Sequence, residues 1–143
     1  MTTISYSPAA DAQGRGAVWT GCVLTTLCVL FLLFDAISHI AKPAPVVDAF
    51  ARLGIPLALA VPIGIIELAC VAVYVIPSTT VFGAVLLTGY LGGAVAINLR
   101  AGSPLWAETL FPIYFGILLW AGVVLRERRV LELIPGRRTI AER

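Results

Sequence analysis

A chain of 143 residues in which 59% are hydrophobic and only 13% are charged cannot be an ordinary water-soluble domain, whose averages run near roughly 45–50% apolar and about 25% charged. A domain of this length leaves roughly a third of its surface outside when it folds, so a mean hydropathy of +0.97 points to lipid as the solvent of that surface. Ten Lys and Arg against eight Asp and Glu give a net charge of +2, too near balance for nucleic-acid binding.

The length allows one domain of about four spans of roughly 20 residues, with loops and tails. Residues 1–16, MTTISYSPAADAQGRG, are small and polar and carry no apolar face, which predicts a flexible tail. The uncharged run from Ala17 continues past Asp35 to Ser38 and forms the first span, 17–38. It is too long for a signal-peptide core, and no small-residue cleavage site follows it, so it reads as a retained span. Lys42-Pro43-Ala44-Pro45 stops it, because proline lacks an N–H and disfavours helix just before itself. In VVDAFAR, residues 46–52, Val46, Val47 and Phe50 oppose Asp48 and Arg52, the pattern of a short interfacial helix.

The second span, 57–76, contains Pro62, Gly64 and Glu67. Pro77-Ser78-Thr79 is a tight turn whose hydroxyls are candidate caps for the third span, 80–99. The fourth, 105–125, is interrupted at Pro112, and residues 126–143 form a basic tail. Pro62 and Pro112 are each expected to free a backbone carbonyl that a neighbour must satisfy. The fold class is therefore all-α, a four-transmembrane-helix bundle.

Orientation follows from the basic residues of the short connecting segments. An even number of spans puts Arg15, Arg126, Arg128, Arg129, Arg137, Arg138 and Arg143 on one side and Lys42, Arg52 and Arg100 on the other. That asymmetry predicts both termini in the cytoplasm of a cell inner (plasma) membrane. The C-terminal arginines serve first as topology determinants and headgroup anchors. Cys22, Cys28 and Cys70 all lie in apolar runs with no CxxC spacing, which excludes a disulfide framework and a structural zinc site.

Ionisable groups within a span cost about 2.5–3.5 kcal/mol each on insertion scales and tend to face the bundle interior. Asp35, His39 and Lys42 follow one another at i, i+4 and i+7 at the outer end of the first span. Asn98 and Arg100 close the third span at that end, and Glu108 opens the fourth. Glu67 lies deeper, roughly 13 Å from the inner end of its span. These residues are expected to form an outer polar vestibule, with Asp35 paired to Lys42 or Arg100 and Glu67 kept neutral and hydrogen-bonded to Tyr90 or Thr88. One histidine with scattered carboxylates does not make a metal site, and none is predicted. Gly89 and Gly93 form a GxxxG pair, and Gly92 and Ala96 repeat the spacing one residue on, a face suited to close helix packing within the bundle or against a partner.

The order Asp35-x6-Lys42, PAPVVDAFARLGIP, Glu67 in a bent span, LLTGYLGGAVAINLRAG and LFPIYFGILLWAGVVLRERR resembles the DoxX-like family of small bacterial membrane proteins. The likeness covers roughly residues 20–131, and Gly89 to Arg100 is its most specific segment. It implies a four-helix transmembrane bundle and quinone-linked or redox-related work, since some relatives are named for a quinone-linked thiosulfate oxidoreductase. Related membrane proteins that exchange disulfides carry a CxxC pair, which this chain lacks. No intrinsic cofactor is expected, and quinone is the external one that the resemblance implies. The first functional expectation is an accessory or anchoring subunit that packs against a larger membrane complex or its own copies. The alternative is a small-molecule or quinone site anchored by Asp35, Glu67 and Arg100, and a proton or solute pathway through Glu67 ranks third.

Overall fold

The structure is a computed structural model that describes residues 8–126. The expectations for residues 1–7 and for Arg128, Arg129, Arg137, Arg138 and Arg143 lie outside the described residues. Among the described residues there are five α-helices and no strand: α1 (Pro8–Ala41), α2 (Ala44–Leu53), α3 (Ala60–Val75), α4 (Thr80–Ala101) and α5 (Phe111–Arg126). Four stretches, Gly14–Ala41, Leu57–Val75, Thr80–Ala101 and Leu105–Arg126, are long and apolar enough to cross a membrane. α1 begins earlier than the Ala17 start expected. Pro8 suits a helix start, and the alanines that follow offset Gly14 and Gly16.

The long helices form a ring in which α1 and α4 each pack against both α3 and α5. Leu32, Tyr74, Leu87 and Leu119 meet at its centre, none more than 2% exposed. Trp19, Phe34, Phe82 and Ile117 face outward, as a lipid-solvated surface requires. Glycine brings the neighbours close. A Cβ on Gly83 would collide with the backbone of Tyr74, so α4 lies directly on the end of α3. A Cβ on Gly64 would stand 2.8 Å from the Ala36 carbonyl oxygen, and one on Gly122 2.8 Å from Thr25 Oγ1. α1 therefore packs tightly against both α3 and α5.

Both prolines expected to break a span fall instead in the first turn of a helix. Pro62 follows a 3-10 turn at Leu57–Leu59 and is the third residue of α3, while Pro112 follows a π turn at Leu105–Thr109 and is the second residue of α5. First-turn N–H groups have no intrahelical acceptor, so proline is accommodated there without breaking the helix. The Leu110 carbonyl, just before α5, accepts from Ile113 and Tyr114. Thr79 likewise does not cap α4 with its side chain. Its hydroxyl donates backwards to the Val73 carbonyl at 2.8 Å and closes the end of α3.

Candidate ligand cavity

α1 leaves its helical path at Lys42, which takes φ 53, and α2 folds back over the same end of the bundle. Arg100 Nη2 donates to the Leu53 carbonyl at 2.7 Å, and Arg52 Nη1 meets Glu108 Oε1 and Oε2 at 3.2 and 3.4 Å. These contacts tie α2 to the end of α4 and to the π turn. Beneath α2 lies a cavity of about 460 Å³, within the range of small-molecule sites, roughly 300–1,000 Å³.

α1 presents Phe31, Asp35 and His39 to this cavity, and α2 adds Phe50. Gly89, Tyr90, Gly93 and Asn98 come from α4, Glu108 from the π turn, and Phe111 and Phe115 from α5. The Phe31 ring lies 4.9 Å from that of Phe115 and 5.6 Å from that of Phe111, tilted on both. Phe50 meets the His39 ring edge to face at 5.6 Å. Aromatic rings and polar groups thus line the cavity side by side, with Phe31 on the same face of α1 as Asp35 and His39.

The polar groups form a connected cluster that reaches Glu67 behind the lining. Tyr90 donates its hydroxyl hydrogen to Glu67 Oε2 at 2.9 Å. His39 Nδ1 lies 3.0 Å from the Asp35 backbone oxygen, and 3.7 Å from both Asp35 Oδ2 and Glu67 Oε2. A carbonyl only accepts, so Nδ1 carries the hydrogen and spends it there. Glu67 is fully buried behind His39 and Tyr90, and its Oε1 has no hydrogen-bond partner. Asp35 remains partly open, with 43% of its side chain exposed.

Asp35, His39, Asn98 and Glu108 thus share one cavity, with Glu67 behind it, whereas Lys42 and Arg100 stand apart. Lys42 is exposed beyond the helix end, because its left-handed backbone takes it off the Asp35 stripe. Arg100 is committed to the Leu53 carbonyl. Among the described residues, neither pairs with Asp35, contrary to the expected ion pair; the nearest ring nitrogen is that of His39. Of the two partners considered for Glu67, Tyr90 makes the bond, and Thr88 instead donates to Ala84 and accepts from Trp120 Nε1.

Gly89 and Gly93 line the cavity, while Gly92 lines a second groove of about 410 Å³ beside Trp120. A Cβ on any of these three would meet nothing within 4 Å, and Ala96 is exposed. The close helix contacts of this chain use Gly64, Gly83 and Gly122 instead. The aromatic lining escaped the sequence reading, although Phe31, Asp35 and His39 follow at i, i+4 and i+8, and Phe111 and Phe115 at i, i+4. In a chain this apolar such spacings do not stand out.

Asp35, His39 and Glu67 also offer ligand atoms that lie within 4.8 Å of one another, a grouping that sequence spacing did not predict as a metal site. With the hydrogen on Nδ1, that nitrogen cannot ligate until it gives up its bond to the carbonyl.

The family model described as DoxX-like matches residues 23–122, from the first span into the fourth. The chain belongs to the DoxX-like family. No curated protein and no solved structure matches it. Membership and the four apolar helices make this DoxX-like chain a multi-pass membrane protein in contact with the lipid bilayer.

Proposed function

We propose that this DoxX-like protein binds a small amphipathic molecule within the membrane, in the cavity beneath α2. The observation that carries this reading is the cavity itself, in which aromatic rings stand beside polar groups. Such an enclosure holds an apolar body and orients one polar head. The positive-inside count supports a topology with both termini in the cytoplasm of a plasma membrane, α2 at the outer interface and the cavity opening towards that side.

A quinone, which the family resemblance implies, suits the rings but not the polar groups. Its two carbonyls need donors, while the His39 and Tyr90 hydrogens and one Asn98 amide hydrogen are bound within the protein, which leaves the second Asn98 hydrogen for one of them. Arg100, expected as an anchor, does not line the cavity.

Photolabelling the full chain in nanodiscs with a neutral aryl diazirine tests the reading. Saturable adducts at Phe31 and Phe115 are expected, together with non-saturable ones at the outward Phe34 and Ile117. Gly93→Phe puts a ring into the cavity and should remove only the first pair. Cavity labelling that does not saturate, or that ignores Gly93→Phe, refutes the site.

A second reading, an accessory subunit, rests on the groove at Gly92, where the helix presents an open small-residue face beside Trp120. Purification from the native membrane in mild detergent tests it, because a monomer without a co-purifying membrane protein opposes that role.

A further inference from the structure

Three side chains on the cavity wall can donate hydrogen bonds: His39, Tyr90 and Asn98. The His39 Nδ1 hydrogen goes to the Asp35 backbone oxygen, that of Tyr90 to Glu67, and one of the two Asn98 amide hydrogens to Ala94. The acceptors are less fully used. The Asp35 carboxylate, which lines the cavity, lies 3.7 Å from the nearest His39 nitrogen, outside hydrogen-bond range. No Lys or Arg lines the cavity among the described residues. The Asp35 carboxylate, partly open to the cavity and with no donor in hydrogen-bond range among the described residues, favours a ligand that brings donors and positive charge. The rings next to Asp35 suit the same ligand, because aromatic faces attract a cation.

We infer that the cavity takes an organic cation, a protonated amine whose N–H groups meet Asp35 and whose apolar body lies among Phe31, Phe111 and Phe115. The inference rests on the cavity reading above and adds the charge of the ligand head. A bare metal ion would leave the aromatic rings and most of the 460 Å³ unused. A carbonyl ligand would find one free side-chain donor, the second Asn98 amide hydrogen, and would leave Asp35 unpaired.

Protection from diazirine labelling at Phe31 and Phe115 reads the head-group preference directly, using probes that share one body. 4-Phenylbutylamine, protonated at neutral pH, should protect at a concentration at least about tenfold lower than 4-phenyl-1-butanol or 5-phenyl-2-pentanone, a preference equivalent to about 1.4 kcal/mol. Asp35→Asn should shrink that preference to about twofold or less, and Asp35→Glu should restore most of it. An unchanged midpoint of unfolding in mixed micelles titrated with SDS shows that the variants still fold. Equal protection by amine, alcohol and ketone overturns the cationic ligand while leaving the cavity a binding site. Protection by the alcohol alone indicates a neutral donor and overturns it too, as does protection by micromolar Mn2+ or Zn2+ without effect of the amine. Absence of saturable cavity labelling refutes the underlying site instead.

Discussion

The two ends of this bundle solve helix packing in opposite ways. At the α3–α4 turn, glycine brings backbone against backbone: Gly83 rests on Tyr74, and Gly21 on Gly122 and Leu125. At the α2 end, Gly89 and Gly93 bring nothing close and leave a cavity edged by carboxylates and phenylalanine rings. Only Gly64 keeps that end tight, on the α1–α3 side away from the opening. A glycine in a membrane helix can thus serve either as a contact or as a void, and its neighbours decide which. The contrast divides the molecule into a rigid foundation and a receptive end.

The sharpest way to break this contrast is to load both kinds of glycine. Gly83→Leu should cost about 3 kcal/mol or more, because the opposing atoms belong to the Tyr74 backbone and cannot swing aside. Unfolding in mixed micelles titrated with SDS would show it as an early transition, and a wild-type midpoint would contradict the foundation. Next in size is Tyr90→Phe, which removes the hydrogen bond to Glu67 Oε2 and leaves both oxygens of a buried carboxylate unpartnered. A loss of about 1–3 kcal/mol is expected in the same titration. Tyr74→Phe is the matched control at the other end. It gives up one 3.3 Å bond to the Leu119 carbonyl and should cost about 1 kcal/mol or less.

Arg52→Ala should cost no more than about 1 kcal/mol, since the pair with Glu108 is largely exposed. Its clearer effect is expected on α2, as faster hydrogen exchange over residues 44–53 with the rest of the bundle unchanged. Smallest of all is Gly93→Ala. Nothing stands within 4 Å of the new Cβ, so removing a helical glycine should leave stability unchanged or raise it by up to about 1 kcal/mol. Marked destabilisation of the monomer by Gly93→Ala would erase the distinction between the two ends.

Much of the frame was legible along the chain. Hydropathy marks the four spans, because each must present about 20 apolar residues to lipid whatever its neighbours are. Proline and glycine mark the turns between them. Glu67 was also legible as an anomaly, since a lone carboxylate in such a run needs a partner, and Tyr90 was one of two candidates. Less legible was the use of Pro62 and Pro112. Linear reading treats a span as one continuous helix, whereas each proline belongs to the first turn after a shorter 3-10 or π turn.

The sequence by itself determined the solvent of this protein, its all-helical class, its family and the few polar residues that lipid would not tolerate unaided. Tertiary structure alone decided which of them meet. Lys42 turns away because one residue at the helix end adopts a left-handed backbone, and Arg100 is taken by a carbonyl of α2. Periodicity specifies the face of a helix on which a residue lies, but the neighbour that fills or spares that face depends on how close the backbones come. Here that distance is set by Gly64, Gly83 and Gly122, and the space left over at Gly89 and Gly93 becomes the cavity.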